Sequence, residues 1–364
     1  MCVICPKGKG RMKQTFITAL FAAVFFLCGC EVTDEEGAAH KSRMEAMGGV
    51  SHYRLQDGGA GRETPADTVV FVAAVEFPEG YDWRRDTSYG GVPGRIVVFR
   101  DGVRDLTVEA GAGHGASLDP DRHHLAGGHL YTECLSRDGT SIGRDGVELF
   151  RYAERELLCG LLVEGDDVYT LGQRTGGGFA LRRNGEVMYE RERGTVAAHM
   201  SDNAAYPTGA LYRDSGHMYF CYCLAGDGGN SWYVVEDGKE SRVDAPSEGW
   251  LDIRVRDGET VTSTVFPSQI IYYFYNDGDS RANVVIKKDG SFRATGPDNS
   301  QVSLPGSGQY YFFSFRNAFL LGEHFYLAAT GKEKGAAPFL WEDGAVKSLE
   351  INGFATAVEA LILP

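Results

Sequence analysis

Ile96-Val97-Val98-Phe99-Arg100-Asp101-Gly102 is the stretch that decides the fold, because the chain repeats its plan six times. Each copy is a few apolar residues, a charged residue, and then Asp-Gly or Asn-Gly. The later copies end at Gly146, Gly185, Gly238, Gly290 and Gly344. Asp-Gly and Asn-Gly supply the positive φ angles that a tight hairpin turn needs. The apolar residues before them read as a strand. The Asp or Asn positions are spaced 44, 39, 53, 52 and 54 residues apart.

That spacing brackets the length of a four-stranded propeller blade. A second column of residues sits upstream of each turn: Leu130-Tyr131, Val168-Tyr169, Met218-Tyr219, Ile271-Tyr272 and Phe325-Tyr326, with Val69-Val70-Phe71-Val72 in the first copy. These open the second strand of each blade. The third strand ends at the turn and the fourth follows it. Innermost strands are expected at 157–162, 250–255 and 311–315. The first blade has none upstream, because the residues before Asp67 are polar and Gly-rich. The chain instead ends on an apolar strand, 356–363, that fits the vacancy. The expected fold is all-β: a six-bladed β-propeller of four-stranded blades over 67–364, its ring closed by the C-terminal strand joining the first blade. Such closure removes an exposed sheet edge. Six unrelated hairpins in a sandwich are the competing arrangement.

Arg11-Met12-Lys13 precedes a short apolar run from Phe16, which meets Leu27-Cys28-Gly29-Cys30. A basic start, a brief apolar stretch and small residues describe a secretory signal, too short to span a bilayer as a permanent helix. The last four residues resemble the lipobox of bacterial lipoproteins, with Cys28 where a small residue is usual. The resemblance implies a signal peptide over 1–29, started from Met12, and a lipid anchor on Cys30. It places the protein in the cell envelope as an outer-membrane lipoprotein. The acidic Glu31-Val32-Thr33-Asp34-Glu35-Glu36 suits either a surface-exposed protein or an ordinary solvated tether. Residues 30–66 read as lipidated Cys plus flexible linker. At fold level the mature chain resembles secreted lipoproteins built as six-bladed propellers, which implies architecture and address only.

The formal charge is −14, and removal of Lys7, Lys9, Arg11 and Lys13 takes it to −18. An acidic surface of this kind disfavours nucleic acid as a partner. Cys134, Cys159, Cys221 and Cys223 follow the anchor. Cys221 and Cys223 alternate on a strand and share a face, so buried thiols are expected. No Cys/His spacing suggests a zinc site, and no cofactor is implied. Asn276-Asp277-Gly278-Asp279-Ser280 reads as a turn, since it lacks the rest of a calcium loop.

No nucleophile elbow or phosphate loop appears, and no residues are nominated as catalytic. His129, His217 and His324 occupy one repeat column with Asp167, which points to structure. The geometry of a blade puts the Asp-Gly turns on one face of the disc and the long loops on the other. The longest loop, 77–90, carries aromatics around two arginines. Tyr81, Trp83, Arg84, Arg85, Tyr89 and, from another blade, Trp250 are the candidate ligand-binding residues, because aromatics with Arg make recognition hot spots. His114 and His199 join the same face. The competing reading is that Tyr81 and Trp83 pack beneath their own loop. The functional expectation is a non-catalytic binding or scaffolding module for a glycan, peptide or protein partner. A polysaccharide hydrolase or lyase over the central channel and a structural subunit of an envelope complex are the alternatives.

Overall fold

The computed structural model describes residues 49–54, 67–84, 92–111, 116–196 and, with short internal gaps, 200–363. The signal segment, Cys30, Arg85, Tyr89, His114, His199, Trp250 and 276–280 lie outside the described residues. Apart from one short 3-10 turn, Pro120–Arg122, the elements are strands. Among the described residues they form six sheets of four or five strands and two two-stranded hairpins.

Sheets two and three are four-stranded antiparallel meanders. Sheet two runs His123–Ala126, His129–Ser136, Gly139–Arg144 and Val147–Tyr152. Sheet three runs Glu156–Glu164, Asp167–Arg174, Phe179–Arg183 and Glu186–Arg191. Sheet one comprises Thr68–Glu76, Arg95–Arg100 and Val103–Glu109, and its missing edge is filled by Gly353–Ile362 from the C-terminus. Thr68 pairs with Ile362 and Glu76 with Gly353, so the terminal strand covers the whole length of its neighbour.

The Asp/Asn-Gly turns have the expected handed geometry. Asp101, Asp145, Asn184 and Asp237 stand at φ 51°, 53°, 50° and 45°, and the glycines that follow are also positive. Each turn residue also holds a neighbouring strand. Asp145 N–H donates to Leu130 O at 2.8 Å, and its carboxylate accepts from Leu130 N–H at 2.9 Å. The same reciprocal pair links Asp101 to Val70, Asn184 to Val168 and Asp237 to Met218. The third-to-fourth-strand turn is thereby pinned to the start of the second strand.

Packing runs across the sheets. Val69, Phe71 and Ala73 point toward sheet two and meet Leu130, whereas Val70, Val72 and Ala74 point toward sheet six and meet Tyr326 and Ala328. Both faces of this strand are covered, which is why its sequence is a continuous apolar run and not an alternating one. Ile142, Tyr152 and Leu158 join sheets two and three. Phe179, Leu181, Phe220 and Tyr222 join sheet three to sheet four, which runs His217–Gly226, Gly229–Glu236 and Lys239–Val243 with Thr195–Val196 and Tyr212–Asp214 on its first edge. The sheets thus stack face to face in the order six, one, two, three, four, as propeller blades do. Cys159, Cys221 and Cys223 are buried as expected.

Two expectations need correction. The 250–255 segment does not supply an inner strand: Leu251–Arg256 pairs with Glu259–Thr264 as a separate hairpin. The sequence between the two strands is Asp257-Gly258, another pair of the tight-turn type. Val255 of this hairpin packs on Cys221, Cys223 and Trp232 of sheet four. In the segment read as linker, Gly49–Arg54 is a strand, pairing in parallel with Gln269–Tyr275 at the edge of sheet five. An unfilled edge recruits whatever extended chain can reach it. In sheet six the edge is split between Tyr310–Tyr311 and Ala318–Leu321.

Asp145→Ala removes the acceptor for Leu130 N–H and also forces alanine into a positive-φ site. A loss of about 2 kcal/mol is expected, read as a lowered midpoint in urea with an unchanged slope. Deletion of 355–364 exposes the edge of Thr68–Glu76 and should produce aggregates in size-exclusion chromatography; a monomer with unchanged melting would contradict the edge-covering role.

Candidate functional site

The turn ends of sheets two, three and four account for the column there, while His324 of sheet six is buried. His129 Nδ1 lies 2.6 Å from Asp145 Oδ2, and His217 Nδ1 lies 2.7 Å from Asp237 Oδ2. Asp237 holds the His217 imidazole above its ordinary value. In sheet three Asp167 occupies the column and accepts from Asn184 Nδ2 at 2.9 Å. These imidazoles brace the first turn of a sheet against the second. His129, Asp167 and His217 belong to three different sheets, and each is engaged with its own turn residue.

The opposite end carries the long loop. Its first half is anchored from below. Phe77 N–H donates to Asn352 O at 2.8 Å, and Asn352 Nδ2 donates to Pro78 O at 2.8 Å and Tyr81 O at 3.0 Å. Trp83 is 0% exposed and meets the Phe354 ring edge-on at 5.3 Å between centroids. It sits in a cluster with Val75, Phe77 and Leu118. The Arg84 guanidinium lies 4.0 Å above the Trp83 ring and donates from Nη2 to Gly331 O at 3.1 Å and Ala336 O at 2.6 Å. Those carbonyls belong to the loop of sheet six. Tyr81 is half-buried, 5.0 Å from the Phe77 ring.

Of the candidates read from the sequence, Trp83 therefore takes the packing role that was set against recognition, and Arg84 staples sheet one to sheet six. The physical reason is that a wide indole buries more area in the gap between two sheets than any other side chain available there. Tyr81 is the described aromatic that reaches the surface of this loop. Arg85, Tyr89 and Trp250 are outside the described residues.

Sequence reasoning missed a buried polar seam between sheets two and three. Glu133 is 1% exposed and accepts from Leu158 N–H at 2.7 Å. Arg122 Nη1 lies 3.9 Å from its other oxygen and is itself held by Asp119. Burial pushes the Glu133 carboxyl up to about 7. Across the seam Glu156 is bound by Arg182, at 2.9 and 3.1 Å, and by Arg174 at 3.2 Å. The neighbouring His123 lies between Ser117 O at 2.5 Å and Thr356 Oγ1 at 3.2 Å. Burial drives the His124 imidazole well below its ordinary value. The sequence did carry a signal: Glu133 stands inside an apolar strand at an inward position, which demands a partner. Glu133, Glu156 and Arg182 are buried and organise the seam, while Arg174 reaches partway to solvent. Among the described residues no group of His, Cys, Asp and Glu is arranged to hold a metal ion.

No family model matches the sequence, and no curated protein matches it. Among solved structures the chain is similar to BBS1N, crystallised in complex with ARL6DN, at 10% identity and a TM-score of 0.38, over 71% of this chain and 87% of that one. It is similar to the acylaminoacyl peptidase of Pyrococcus horikoshii at 10% identity and a TM-score of 0.42, over 85% and 53%. It is also similar to PorZ, a surface component of the type-IX secretion system of Porphyromonas gingivalis, at 12% identity and a TM-score of 0.34, over 72% and 36%.

Trp83→Ala should cost about 3–5 kcal/mol of stability, as large-to-small core substitutions of aromatics do, seen as a fall in melting temperature. The Glu133 carboxyl is raised from 4.5 to about 7 on folding, so its protonation favours the folded state. That stability is fully present below pH 4.5 and is lost as pH rises through 7, by on the order of a few kcal/mol. Glu133→Gln should accordingly be more stable than the natural chain at pH 8 and no more stable at pH 4, by urea denaturation at the two pH values.

Proposed function

We propose that the chain is a six-bladed β-propeller held on the cell envelope by a lipid on Cys30, and that it acts as a non-catalytic binding or scaffolding module. The observation that carries this reading is the face-to-face stack of sheets, the first four clamped at their Asp/Asn-Gly turns, with Gly353–Ile362 completing the first sheet. In the propeller the fifth sheet stands between the fourth and the sixth and closes the ring. The described histidine–carboxylate and arginine–carboxylate pairs engage one another within and between sheets, which suits a scaffold better than a reactive centre.

The partner, a glycan, a peptide or a protein, meets the long-loop face. Tyr81, Arg85, Tyr89 and Trp250 are the contact residues in this reading, and Trp83 with Arg84 supports them from beneath. No cofactor is needed. The anchor gives the location: an outer-membrane lipoprotein, its leader 1–29 removed and residues 31–48 serving as tether.

Two measurements test the parts separately. Intact mass of the protein from envelopes should show acylation, and Cys30→Ser should move the protein from the membrane fraction to the soluble one. A thermal-shift screen of the Cys30→Ser protein with glycans and peptides should find a ligand that raises melting. Saturation at ~100 times the dissociation constant adds about 2.7 kcal/mol. Arg85→Ala with Tyr89→Ala should abolish that shift and leave the unliganded melting temperature in place.

A further inference from the structure

The first strand of sheet five runs the opposite way to its counterparts. In sheets two and three the edge strand is antiparallel to its neighbour, so it travels toward the end that carries the Asp/Asn-Gly turn. Gly49–Arg54 is parallel to its neighbour instead, with Gly49 opposite Ile270 and Arg54 opposite Tyr275. Ile270 in turn faces Ile286, and Tyr275 faces Arg281. The chain therefore joins the sheet at the end where Arg281–Lys287 finishes and leads on to Asp289-Gly290. Gly49, the first described residue, thus lies on the side of the turns.

A second, independent observation lies on the same side. The outer strands begin directly after the turns: Val103 and Val147 open theirs opposite Arg100 and Arg144, Glu186 opens the third opposite Arg183 with Val187 next to it, and Lys239 opens the fourth. Val103, Val147 and Val187 are 69%, 65% and 44% exposed. Arg100, Arg144 and Arg183, just before the same turns, are exposed too. An aliphatic residue flanked by a long cationic side chain is suited to the headgroup layer of a bilayer, where the methyl groups dip below the phosphates and the cation stays level with them. Arg183 also pairs with Asp167, and Asp101, Asp145 and Asp237 stand at the same turns, so a tether is needed to hold this face on the lipid. The eighteen residues 31–48 reach at most about 60 Å when extended, and a folded-back tether allows direct contact.

We propose that the face bearing the Asp/Asn-Gly turns rests on the lipid surface, through Val103, Val147 and Val187 with Arg100, Arg144 and Arg183, and that the long-loop face points away from it. This rests on the propeller and anchor readings above. The strand polarity sets the orientation and the aliphatic residues provide the contact.

The test replaces the acyl chain by a defined anchor. A full chain with a hexahistidine inserted after Cys30 is captured on vesicles of phosphatidylcholine, phosphatidylglycerol and nickel-chelating lipid. A cysteine is placed at Val147→Cys on the turn face or Glu79→Cys on the loop face, with Val187→Cys as a second turn-face position should the first disturb folding. Modification by a 5-kDa maleimide polymer is followed free and vesicle-bound, with the unsubstituted chain as background. The expected result is at least threefold slower modification at 147 or 187 on capture, with 79 unchanged. Unchanged rates at the turn-face positions, or slowing at 79 instead, overturn the proposal. Because capture does not depend on Cys30 chemistry, a chain that proves unacylated refutes the anchor reading alone.

Discussion

A residue in the left-handed region with a hydrogen-bonding side chain is the constraint on which the rest of the structure depends. A tight two-residue turn requires positive φ at both central positions. Glycine meets this at no cost, but it has no side chain with which to hold anything else. Aspartate and asparagine tolerate the conformation and retain an acceptor. At Asp101, Asp145, Asn184 and Asp237 the acceptor closes on the N–H of a strand two positions across the sheet, while the backbone N–H of the same residue closes on that strand's carbonyl. One residue type thus sets the turn, fixes the register of three strands and satisfies the start of the second strand. With register fixed, alternate residues of the central strands fall on opposite faces, and the stacking of one sheet on the next follows from apolar residues on both.

Much of this was legible in the sequence, and the parts that were not have physical reasons. The turn phrase and its spacing are local, and local geometry depends on few residues. The terminal strand could be assigned because a strand without a partner and a sheet without an edge are complementary deficits. The edge of sheet five was misassigned, since two segments competed for it and the deciding feature was a second turn pair, Asp257-Gly258, that closed one of them on itself. The parallel strand at 49–54 gives no local signal, because parallel pairing joins residues far apart in the chain. The loop aromatics divide for a similar reason. Composition places Trp83 and Tyr81 on the same loop, but which of them turns inward depends on the gap between sheets one and six, closed by Phe354 from the far end of the chain.

The candidate site and the buried seam show charge used in two ways. Arg84 keeps its cation at the surface of the loop and uses a ring face and two carbonyls of another sheet as its partners. Glu133 and Glu156 bury theirs. Glu156 is paid for by two guanidinium groups, whereas Glu133 has one backbone N–H and a distant arginine. Burial accordingly pushes the weakly partnered Glu133 carboxyl up. A buried pair with good partners contributes uniqueness of packing more than net stability.

The glycines of the turns have one more property. A Cβ on Gly146 would stand 3.2 Å from Val108 of sheet one, and one on Gly185 would stand 3.2 Å from Phe150 of sheet two. A Cβ on Gly102 would likewise meet Lys347 of sheet six, so these three turns are each seated on the outer strand of the preceding sheet in the stack. The array has a grain, like overlapping roof tiles. A unit inserted into or removed from such an array must bring both the turn that leans back and the outer strand that is leaned upon. Lengthening or shortening of this architecture over evolution is thus restricted to whole units.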